Sequence, residues 1–259
     1  MDTFLLNNIF DSHAHYDDES FNCDRDTLLE ELPNRGVCGV VTCGADLEGC
    51  RAAVDLAAQY DYIYAAAGIH PECVKDMPAN YLELVEDFLS SGKVVAVGEI
   101  GLDYHFEDNA PRAVQRQAFA DQIALAQKHG LPVIVHDRDA HGDTMDILRQ
   151  TAPSGVVHCF SGSVEMAREV IRLGMYIGIG GAVTFKNARI PVEVAKFVPL
   201  DRLLVETDAP YMTPVPFRGK RCDSSMIAYT AEKIAEIRGI PAQELLDATR
   251  ANAERLFRI

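Results

Sequence analysis

Histidine and carboxylate side chains recur at the ends of short apolar segments, and they are the residue types that bind metal ions and activate water. The first apolar segment ends in Asp11-Ser12-His13-Ala14-His15. Alternate side chains of an extended strand share a face, so His13 and His15 can bind one ion through imidazole nitrogens, with Asp11 on the same face. A turn histidine beside a packed histidine would give the same pattern, so this motif alone leaves both interpretations open.

Glu99 follows the apolar segment Val94-Val95-Ala96-Val97-Gly98 directly. A carboxylate buried there is costly unless a metal ion or another cation compensates its charge. Its two oxygens can bridge two ions, and a structural ion pair with an arginine is the alternative. His136, His158 and Asp208 follow other apolar segments in the same way, and each of them taken singly fits a satisfied core residue equally well.

Eight short apolar segments alternate with longer segments of helical character, an order typical of βαβ units with a buried parallel sheet. The segments begin near Ile9, Val37, Tyr62, Val94, Pro132, Gly155, Met175 and Leu203, and residues 47–60 and 114–129 have helical patterns. Eight such pairs predict the α/β class and a single (β/α)₈ TIM-type barrel that forms one domain over residues 1–259. An open, doubly wound sheet is the alternative.

Barrel enzymes carry their active sites at the C-terminal ends of the strands, where polar side chains from different strands converge. Six metal-binding side chains would meet there: His13, His15, Glu99, His136, His158 and Asp208. Chance alone does not explain six such side chains at the same end of the barrel, so the sequence predicts a metal site. Imidazole and carboxylate ligands without thiolate suit Zn²⁺, Mn²⁺, Mg²⁺, Ni²⁺ or Fe²⁺ and do not choose among them.

The overall composition restricts partners and compartment. Lys and Arg number 24 against 39 Asp and Glu, a net charge of −15, which disfavours a broad basic face for nucleic acid. Seven cysteines without CxxC spacing suit free thiols in a reducing compartment. We find no secretory signal pattern, no long apolar run and no nucleotide-binding glycine motif. We therefore expect a cytoplasmic monomer with neither membrane contact nor nucleotide cofactor.

Motifs along nearly the whole chain resemble the TatD family of metal-dependent deoxyribonucleases, within the wider metal-dependent hydrolase barrels. They are Asp11-Ser12-His13-Ala14-His15, Gly68-Ile69-His70-Pro71, Gly98-Glu99-Ile100-Gly101-Leu102-Asp103, Leu131-Pro132-Val133-Ile134-Val135-His136, His158-Cys159-Phe160-Ser161-Gly162, Glu206-Thr207-Asp208-Ala209-Pro210 and Arg218-Gly219-Lys220-Arg221. The resemblance implies a centre with two divalent ions, Mg²⁺, Mn²⁺ or Zn²⁺. One ion would be held by His13, His15, Glu99 and Asp208, and the other by Glu99, His136 and His158, with Glu99 bridging.

The resemblance also implies hydrolysis of DNA phosphodiester bonds, commonly by trimming a 3′ end, with single-stranded DNA or DNA ends as the partner. The expected catalytic residues are Glu99, Asp208, which would orient or deprotonate the attacking water, and His70, which would face the phosphate. A histidine packed against Pro71 is the alternative for His70.

Cations on the loops after strands five, seven and eight would offset the negative charge and bind substrate together with His70. They are Arg138, Lys186, Arg189, Arg218, Lys220 and Arg221. The chain departs from the family pattern at two places. Residues 222–226 stand where Asn-Glu-Pro is usual, which puts substrate contacts of that loop in doubt. Glu72 and Cys73 stand where a further histidine often follows Pro71.

Three other functions remain open. A small-molecule amidohydrolase or lactonase shares the His-x-His start, but many such enzymes bridge their ions with a carbamylated lysine at the end of strand four, where Glu99 stands here; Lys93 precedes that strand. A D-aminoacyl-tRNA deacylase would use the same water at an acyl carbon. A non-catalytic binding protein predicts that metal ligands are missing, and all six are present.

Overall fold

The computed structural model describes residues 6–259, and eight parallel strands form its centre. They are β1 (Ile9–Ala14), β2 (Val37–Cys43), β3 (Ile63–Ala67), β4 (Val94–Asp103), β5 (Val133–Arg138), β6 (Gly155–Val157), β7 (Tyr176–Ile179) and β8 (Leu203–Val205). Each strand pairs with the next one along the chain. Every strand begins within one residue of the start that the apolar segments predict.

The ring closes where β1 meets the segment that follows β8. The N–H of His15 donates to the carbonyl of Ala209 at 2.7 Å, and the N–H of Asp208 donates to the carbonyl of His13 at 3.0 Å. Ala14 and Ala209 form a parallel bridge. A doubly wound sheet would leave both edges unpaired. The predicted (β/α)₈ barrel is therefore confirmed, and the open-sheet alternative is wrong.

Helices connect the strands. They are α1 (Arg25–Glu31), α2 (Leu47–Gln59), α3 (Tyr81–Phe88), α4 (Arg112–His129), α5 (His141–Thr151), α6 (Val164–Arg172), α7 (Arg189–Phe197), α8 (Ile227–Arg238) and α9 (Ala242–Phe257). Asp46 caps α2 by accepting from the N–H of Gly49, which otherwise lacks a partner in the first turn. Gly130 ends α4 with a positive φ of 66°, a left-handed conformation that glycine adopts without steric cost. Both predicted helical segments are helices.

The inside of the barrel is filled by one apolar residue or more from every strand. This inner cluster includes Phe10, Val41, Ala66, Ala96, Ile134, Val156, Tyr176 and Leu204, and Leu256 and Phe257 at the end of α9 pack against it. Because side chains alternate along a strand, residues two positions beyond Ile134 and Val156 also face inward. This alternation directs His136 and His158 into the barrel above the apolar core.

Two further predictions concern the chain as a whole. Within residues 6–259, each helix is too short or too polar to cross a membrane. The seven cysteines are free thiols, as their number and spacing predict.

Candidate metal centre

The Glu99 carboxylate lies at the centre of a cluster of histidines and is only 3% exposed. Its Oε2 lies 3.1 Å from Nε2 of His13 and 3.3 Å from Nε2 of His15. Its Oε1 lies 2.7 Å from Nδ1 of His136 and 2.6 Å from Nε2 of His158. The two oxygens of one side chain thus face two separate groups of histidines.

Asp208 lies beside the first pair of histidines. Its Oδ1 is 3.6 Å from Nε2 of His13 and 3.5 Å from Nε2 of His15, and the two ring nitrogens are 3.0 Å apart. We call His13, His15, Asp208 and the Oε2 side of Glu99 group A. Their ligand atoms come from the end of β1, the middle of β4 and the segment after β8, so group A forms only in the closed barrel.

His136 and His158 form the second cluster with the Oε1 side of Glu99, which we call group B. Nδ1 of His136 lies 3.3 Å from Nε2 of His158. The ligand atoms of His13, Glu99 and His158 also lie within 4.8 Å of one another, so the two groups adjoin. The structure therefore brings together all six side chains that the sequence singles out for metal binding.

In two of these histidines, the ring nitrogen that points away from Glu99, here called the outer nitrogen, lies within hydrogen-bond distance of another protein group. Nε2 of His136 lies 3.1 Å from Oδ2 of Asp103, and Nδ1 of His15 lies 2.8 Å from the carbonyl oxygen of Cys43. An acceptor at the outer nitrogen holds the proton there and leaves the inner nitrogen free for an ion. Sequence reasoning missed Asp103 and Cys43 as partners, although Asp103 ends the motif that contains Glu99.

His158 and Glu206 have unpartnered atoms. Nδ1 of His158 and Oε2 of Glu206 are buried without a hydrogen-bond partner among residues 6–259, and Nδ1 lies 3.9 Å from Oε1 of Glu206. Oε1 accepts from the backbone N–H of Cys159. Burial raises the pKa of Glu206 to about 8. A Cβ at Gly178 would lie 2.5 Å from Oε2, so the glycine leaves room for this carboxylate.

His70 faces the same centre but differs from the other histidines. Its Nε2 lies 3.4 Å from Oε1 of Glu99, and its Nδ1 accepts a hydrogen bond from the backbone N–H of Glu72 at 3.2 Å. Burial lowers the pKa of His70, which favours the neutral ring. Since Nδ1 accepts, the proton of the neutral ring is on Nε2. The ligand atoms of His70, Glu99 and His136 also lie within 4.8 Å of one another, so distance alone would allow His70 to bind an ion, but this tautomer makes it a hydrogen-bond donor.

The charges of the cluster are strongly coupled. Burial would raise the pKa of Glu99, but attraction to His158 and His13 holds it well below its usual range. Burial and repulsion by His158 lower the pKa of His13 to about 4. Burial would lower the pKa of His15 too, but its hydrogen bonds to Asp208 and Glu99 raise it well above its usual value. A divalent ion bound in group A would displace the proton that these carboxylates attract to His15.

The donor set fits divalent ions. The cluster opens into a cavity of about 680 Å³ whose lining has one arginine, Arg138, against six carboxylates: Asp17, Asp18, Glu72, Glu99, Asp137 and Asp208. Within residues 6–259, Glu99 and Asp208 form ion pairs with histidines alone, so the interpretation of Glu99 as an arginine partner is wrong. Imidazole and carboxylate atoms are donors that divalent ions take, and an ion bound here would replace the protons that the carboxylates attract to His15 and His136.

Asp11 is turned away from the cluster. Its Oδ1 accepts from the N–H of Thr207 at 3.0 Å, and its Oδ2 accepts from the hydroxyls of Thr207 at 2.6 Å and Ser224 at 2.7 Å. The N–H of Ser224 also donates to the hydroxyl of Tyr16. Residues 222–226, which differ from the expected family pattern, thus contribute Ser224 to a buried hydrogen-bond network that connects β1 to the loop after β8.

The predicted substrate cations separate into three sets. Arg138 lines the metal cavity, where its guanidinium carbon lies 4.9 Å from the centre of the Phe106 ring. Arg218, Lys220 and Arg221 line a second cavity. Lys186 and Arg189 are exposed and line neither cavity, and Arg189 pairs with Glu193 on its own helix.

Lys93 is remote from the metal centre. Its Nζ donates to the carbonyls of Tyr60, Asp61 and Ile63, at the start of β3. The start of a parallel strand lies at the opposite end of the barrel from the metal groups. Lys93 therefore cannot reach the candidate metal centre as a bridging carbamate.

A closed parallel barrel with histidines and carboxylates gathered at the C-terminal ends of its strands defines a metal-dependent hydrolase. The family model described as TatD related DNase matches residues 10–258, and the chain belongs to this family. The predicted family is thereby confirmed.

Known relatives are similar to this chain over nearly their full lengths. The uncharacterized metal-dependent hydrolase YabD of Bacillus subtilis (strain 168) is 44% identical over 254 residues, which cover 97% of this chain and 99% of YabD. The 3'-5' ssDNA/RNA exonuclease TatD of Pectobacterium carotovorum subsp. carotovorum (strain PC1) is 33% identical over 260 residues, 97% of this chain and 100% of that protein. The crystal structure of YjjV, a TatD homologue from Escherichia coli K12, superposes with a TM-score of 0.92 at 33% identity and covers 98% of this chain and 99% of YjjV.

Proposed function

We propose that this hydrolase cleaves phosphodiester bonds of single-stranded DNA from the 3′ end, with one divalent ion in group A and one in group B. The observation that carries the proposal is the position of Glu99, whose two oxygens face the two groups separately. A carboxylate that bridges two ions is a recurrent feature of enzymes that hydrolyse phosphodiesters. The Pectobacterium relative, a 3'-5' ssDNA/RNA exonuclease, supports a single-stranded nucleic acid as the substrate.

The six side chains would divide between the two ions. His13, His15 and Asp208 would hold the first ion, His136 and His158 the second, and Glu99 both. When bound, the two ions supply an activated water and neutralise charge on the phosphate. Asp208 is 19% exposed toward the cavity, and contacts with His15 and His13 outweigh its burial and lower its pKa. Its charged carboxylate can therefore accept a hydrogen bond from the attacking water and orient it.

His70 would act on the phosphate. Its Nε2–H points to the centre, and the hydrogen bond from Glu72 fixes the ring tautomer that carries the proton there. A neutral donor aimed at a phosphoryl oxygen becomes more effective as negative charge develops on that oxygen in the transition state. Arg138 at the rim of the cavity would bind a neighbouring phosphate, and Phe106 holds its guanidinium in place.

The test is cleavage of single-stranded DNA labelled at either end. Protein stripped of metal is resupplied with Mg²⁺, Mn²⁺ or Zn²⁺, and the products are separated by length. We expect stepwise shortening from the 3′ end with at least one ion. Glu99→Gln keeps the size of the side chain but removes its charge and is expected to abolish cleavage. Glu83→Gln, a change of an exposed carboxylate on α3, is the matched control and should cut like wild type.

Other outcomes are equally informative. Products that shorten from the 5′ end, or cuts within the strand, would contradict the exonuclease polarity but keep the nuclease. A failure to cut DNA with every ion would overturn the nuclease proposal. Hydrolysis of a D-aminoacyl-tRNA ester or of a lactone, abolished in Glu99→Gln, would then assign the same centre to ester chemistry.

A further inference from the structure

A second cavity of about 460 Å³ lies beside the metal cavity, and its size is within the ~300–1,000 Å³ range of small-ligand sites. The two cavities share Asp18, Tyr211 and Met212 in their linings. The Tyr211 hydroxyl donates to Oδ2 of Asp18 at 2.8 Å, so this pair forms the boundary between them. A chain-like substrate bound at the metals can therefore continue into the second cavity past Tyr211.

The two cavities have opposite charge. The metal cavity has six carboxylates and one arginine in its lining, whereas the second cavity has three cations, Arg218, Lys220 and Arg221, and one carboxylate, Asp18. The net charge of the whole chain is −15, so this excess of cations is a local feature. Ions must neutralise the first cavity before an anion can enter, but the second cavity attracts an anion without metal.

Arg218 and Lys220 are available to a ligand. The guanidinium carbon of Arg218 lies 3.9 Å from the centre of the Phe185 ring, and Nζ of Lys220 lies 5.6 Å from the centre of the Phe217 ring. Neither cation forms an ion pair with a carboxylate within residues 6–259. Stacking on an aromatic ring orients a guanidinium without using its N–H donors, which leaves them for a phosphate.

Arg221 has a different role. Its NH1 and NH2 bind the two carboxylate oxygens of Asp24 at 2.6 Å each, and NH1 also donates to the carbonyl of Ser20. A bidentate pair of this kind neutralises the guanidinium and fixes its position. Arg221 therefore holds the wall of the second cavity, and Arg218 and Lys220 supply its free positive charge.

Tyr211 offers an aromatic surface at the boundary. Its side chain is 55% exposed although its hydroxyl is bonded to Asp18. Exposed aromatic rings beside positive charges are the usual platform for bases of single-stranded nucleic acid, because every base has a face that stacks. In a duplex the bases are paired and stacked on one another, so this platform suits an unpaired nucleotide.

We propose that the second cavity binds the nucleotide next to the scissile bond, with its phosphate on Arg218 and Lys220 and its base against Tyr211. This inference rests on the proposed nuclease function, since it extends the substrate of the same centre by one nucleotide. It makes the second cavity the element that distinguishes a single-stranded oligonucleotide from a small phosphodiester.

The experiment compares two substrates of the metal-loaded protein: a fluorescent single-stranded hexanucleotide and bis(4-nitrophenyl) phosphate, which fits the metal cavity alone. In Arg218→Gln/Lys220→Gln we expect kcat/KM for the hexanucleotide to fall about tenfold, since phosphate contacts supply most of the affinity for nucleic acid. Turnover of the small diester should stay within about twofold of wild type, because that substrate does not reach the second cavity. Arg172→Gln/Lys196→Gln is the matched control, since it removes the same two charges from exposed positions in the last turns of α6 and α7.

Binding gives a readout that does not depend on cleavage. The dissociation constant of a phosphorothioate hexanucleotide is measured at several salt concentrations. For Arg218→Gln/Lys220→Gln, the slope of log affinity against log salt should become shallower by about 0.7 for each phosphate that the variant no longer binds. Tyr211→Leu should weaken binding about tenfold, and Tyr211→Phe, which keeps the ring but removes the bond to Asp18, should bind like wild type.

The two proposals fail in different ways. If wild type cuts the hexanucleotide and Arg218→Gln/Lys220→Gln cuts and binds it like the control, the second cavity is not a nucleotide site and the nuclease stands. If wild type cuts neither substrate, the nuclease proposal fails. In that case, weaker oligonucleotide binding by the variant than by wild type would still support the site, and absence of binding by wild type would overturn it too.

Discussion

The backbone N–H of Glu72 donates to Nδ1 of His70 at 3.2 Å, and this one bond distinguishes His70 from the candidate metal-binding histidines beside it. A metal-ligating imidazole needs its lone pair on the nitrogen that faces the ion. In His70 the nitrogen that faces Glu99 carries the proton instead, because the other nitrogen accepts. The side chain at position 72 does not take part in this bond, since the donor is the main chain.

His70→Ala should therefore lose activity without losing metal. Removal of one preorganised donor to the transition state lowers kcat by about 10²–10³-fold. Metal content, measured by elemental analysis of dialysed protein, should equal that of wild type. His136→Ala, which removes a group B ligand, should lose metal as well as activity. Equal metal loss in the two variants would make His70 a ligand and contradict the tautomer argument.

Asp103 should set the metal affinity of group B. Its Oδ2 lies 3.1 Å from Nε2 of His136, and its Oδ1 accepts from the N–H of His105. Asp103→Asn keeps an oxygen for His105 but places an amide opposite His136. We expect the dissociation constant for metal to rise about 10–100-fold, as for other carboxylates that orient a metal-binding histidine. Competition with a chromogenic chelator measures this constant.

The matched control for Asp103 is Asp146→Asn, which changes an exposed carboxylate that pairs with Arg149 on α5. It should leave the metal affinity at the wild-type value. If Asp103→Asn also matches wild type, then the contact between Asp103 and His136 does not support the ligand.

Gly178→Ala should disturb Glu206. An added Cβ would lie 2.5 Å from Oε2 of this buried carboxylate, a contact that forces a shift. Overpacking of this kind costs about 1–3 kcal/mol of the free energy of unfolding. Gly142→Ala is the control, because nothing lies within 4 Å of its Cβ and alanine favours helix. It should be neutral or stabilising in urea unfolding.

A double-mutant cycle identifies the partner of Gly178. If the clash is with Glu206, then Gly178→Ala should cost less in a Glu206→Ala background than in wild type. If the loss of stability in the double variant equals the sum of the losses in the two single variants, the clash lies elsewhere in the barrel.

His141 should titrate above its usual pKa. Its hydrogen bond to Asp137, with Nδ1 2.7 Å from Oδ2, raises the pKa against the opposing effect of burial. The folded state thus binds the proton more tightly than the unfolded state. The stabilisation is complete below the unfolded pKa of about 6.5 and is lost as pH rises through the higher folded value. The side chain is 44% exposed, so solvent screening limits the contribution to about 0.5 kcal/mol.

An NMR titration of the His141 ring measures this pKa directly. Asp137→Asn should lower it toward the ordinary value, and His141→Gln should lose more stability at pH 6 than at pH 9. An unchanged His141 pKa in Asp137→Asn would show that another group causes the shift.

Removal of metal should weaken binding of DNA as well as its cleavage. The metal cavity without ions has six carboxylates in its lining, which repel a phosphate backbone. We expect a chelator to lower the affinity for a phosphorothioate hexanucleotide at least about tenfold at constant ionic strength. Fluorescence anisotropy with and without EDTA measures the change. Equal affinity in both conditions would place the DNA outside this cavity.

The sequence predicted much of the fold and of the metal centre, because both follow from local patterns. Buried parallel strands need apolar residues on both faces, so segments such as Val37–Cys43 stand out from the helices around them. The alternation of side chains then carried inward the residues that follow each segment, including His136 and His158. Neither step requires knowledge of distant contacts.

The remaining features depend on register and loops. The pairing of β1 with β2 shifts between Asp11 and Ala14, and Asp11 bonds to Thr207 instead of joining His13 and His15 as alternation predicts. Likewise, the pairing of β4 with β5 is irregular between Val97 and Ile100. The position of Glu99 therefore did not predict that Asp103 faces His136.

Contacts between distant loops were equally hidden. Arg221 appeared to be a free cation in the sequence, but it pairs with Asp24, 197 residues earlier. The sequence did not indicate that Tyr211 lies between the two cavities, because its hydrogen-bond partner Asp18 lies in the loop after β1, far away along the chain. Pairs of this kind are determined by the closed barrel and not by any segment of it.

Closure of the barrel also determines when the protein can become active during its synthesis. Thr207 bonds to Asp11 across 196 residues, and Asp208 reaches His13 and His15 only once β8 has docked beside β1. Long-range pairing of this kind forms late, because most of the chain must first be ordered. A nascent chain therefore lacks group A until its last strand has emerged from the ribosome and docked beside β1.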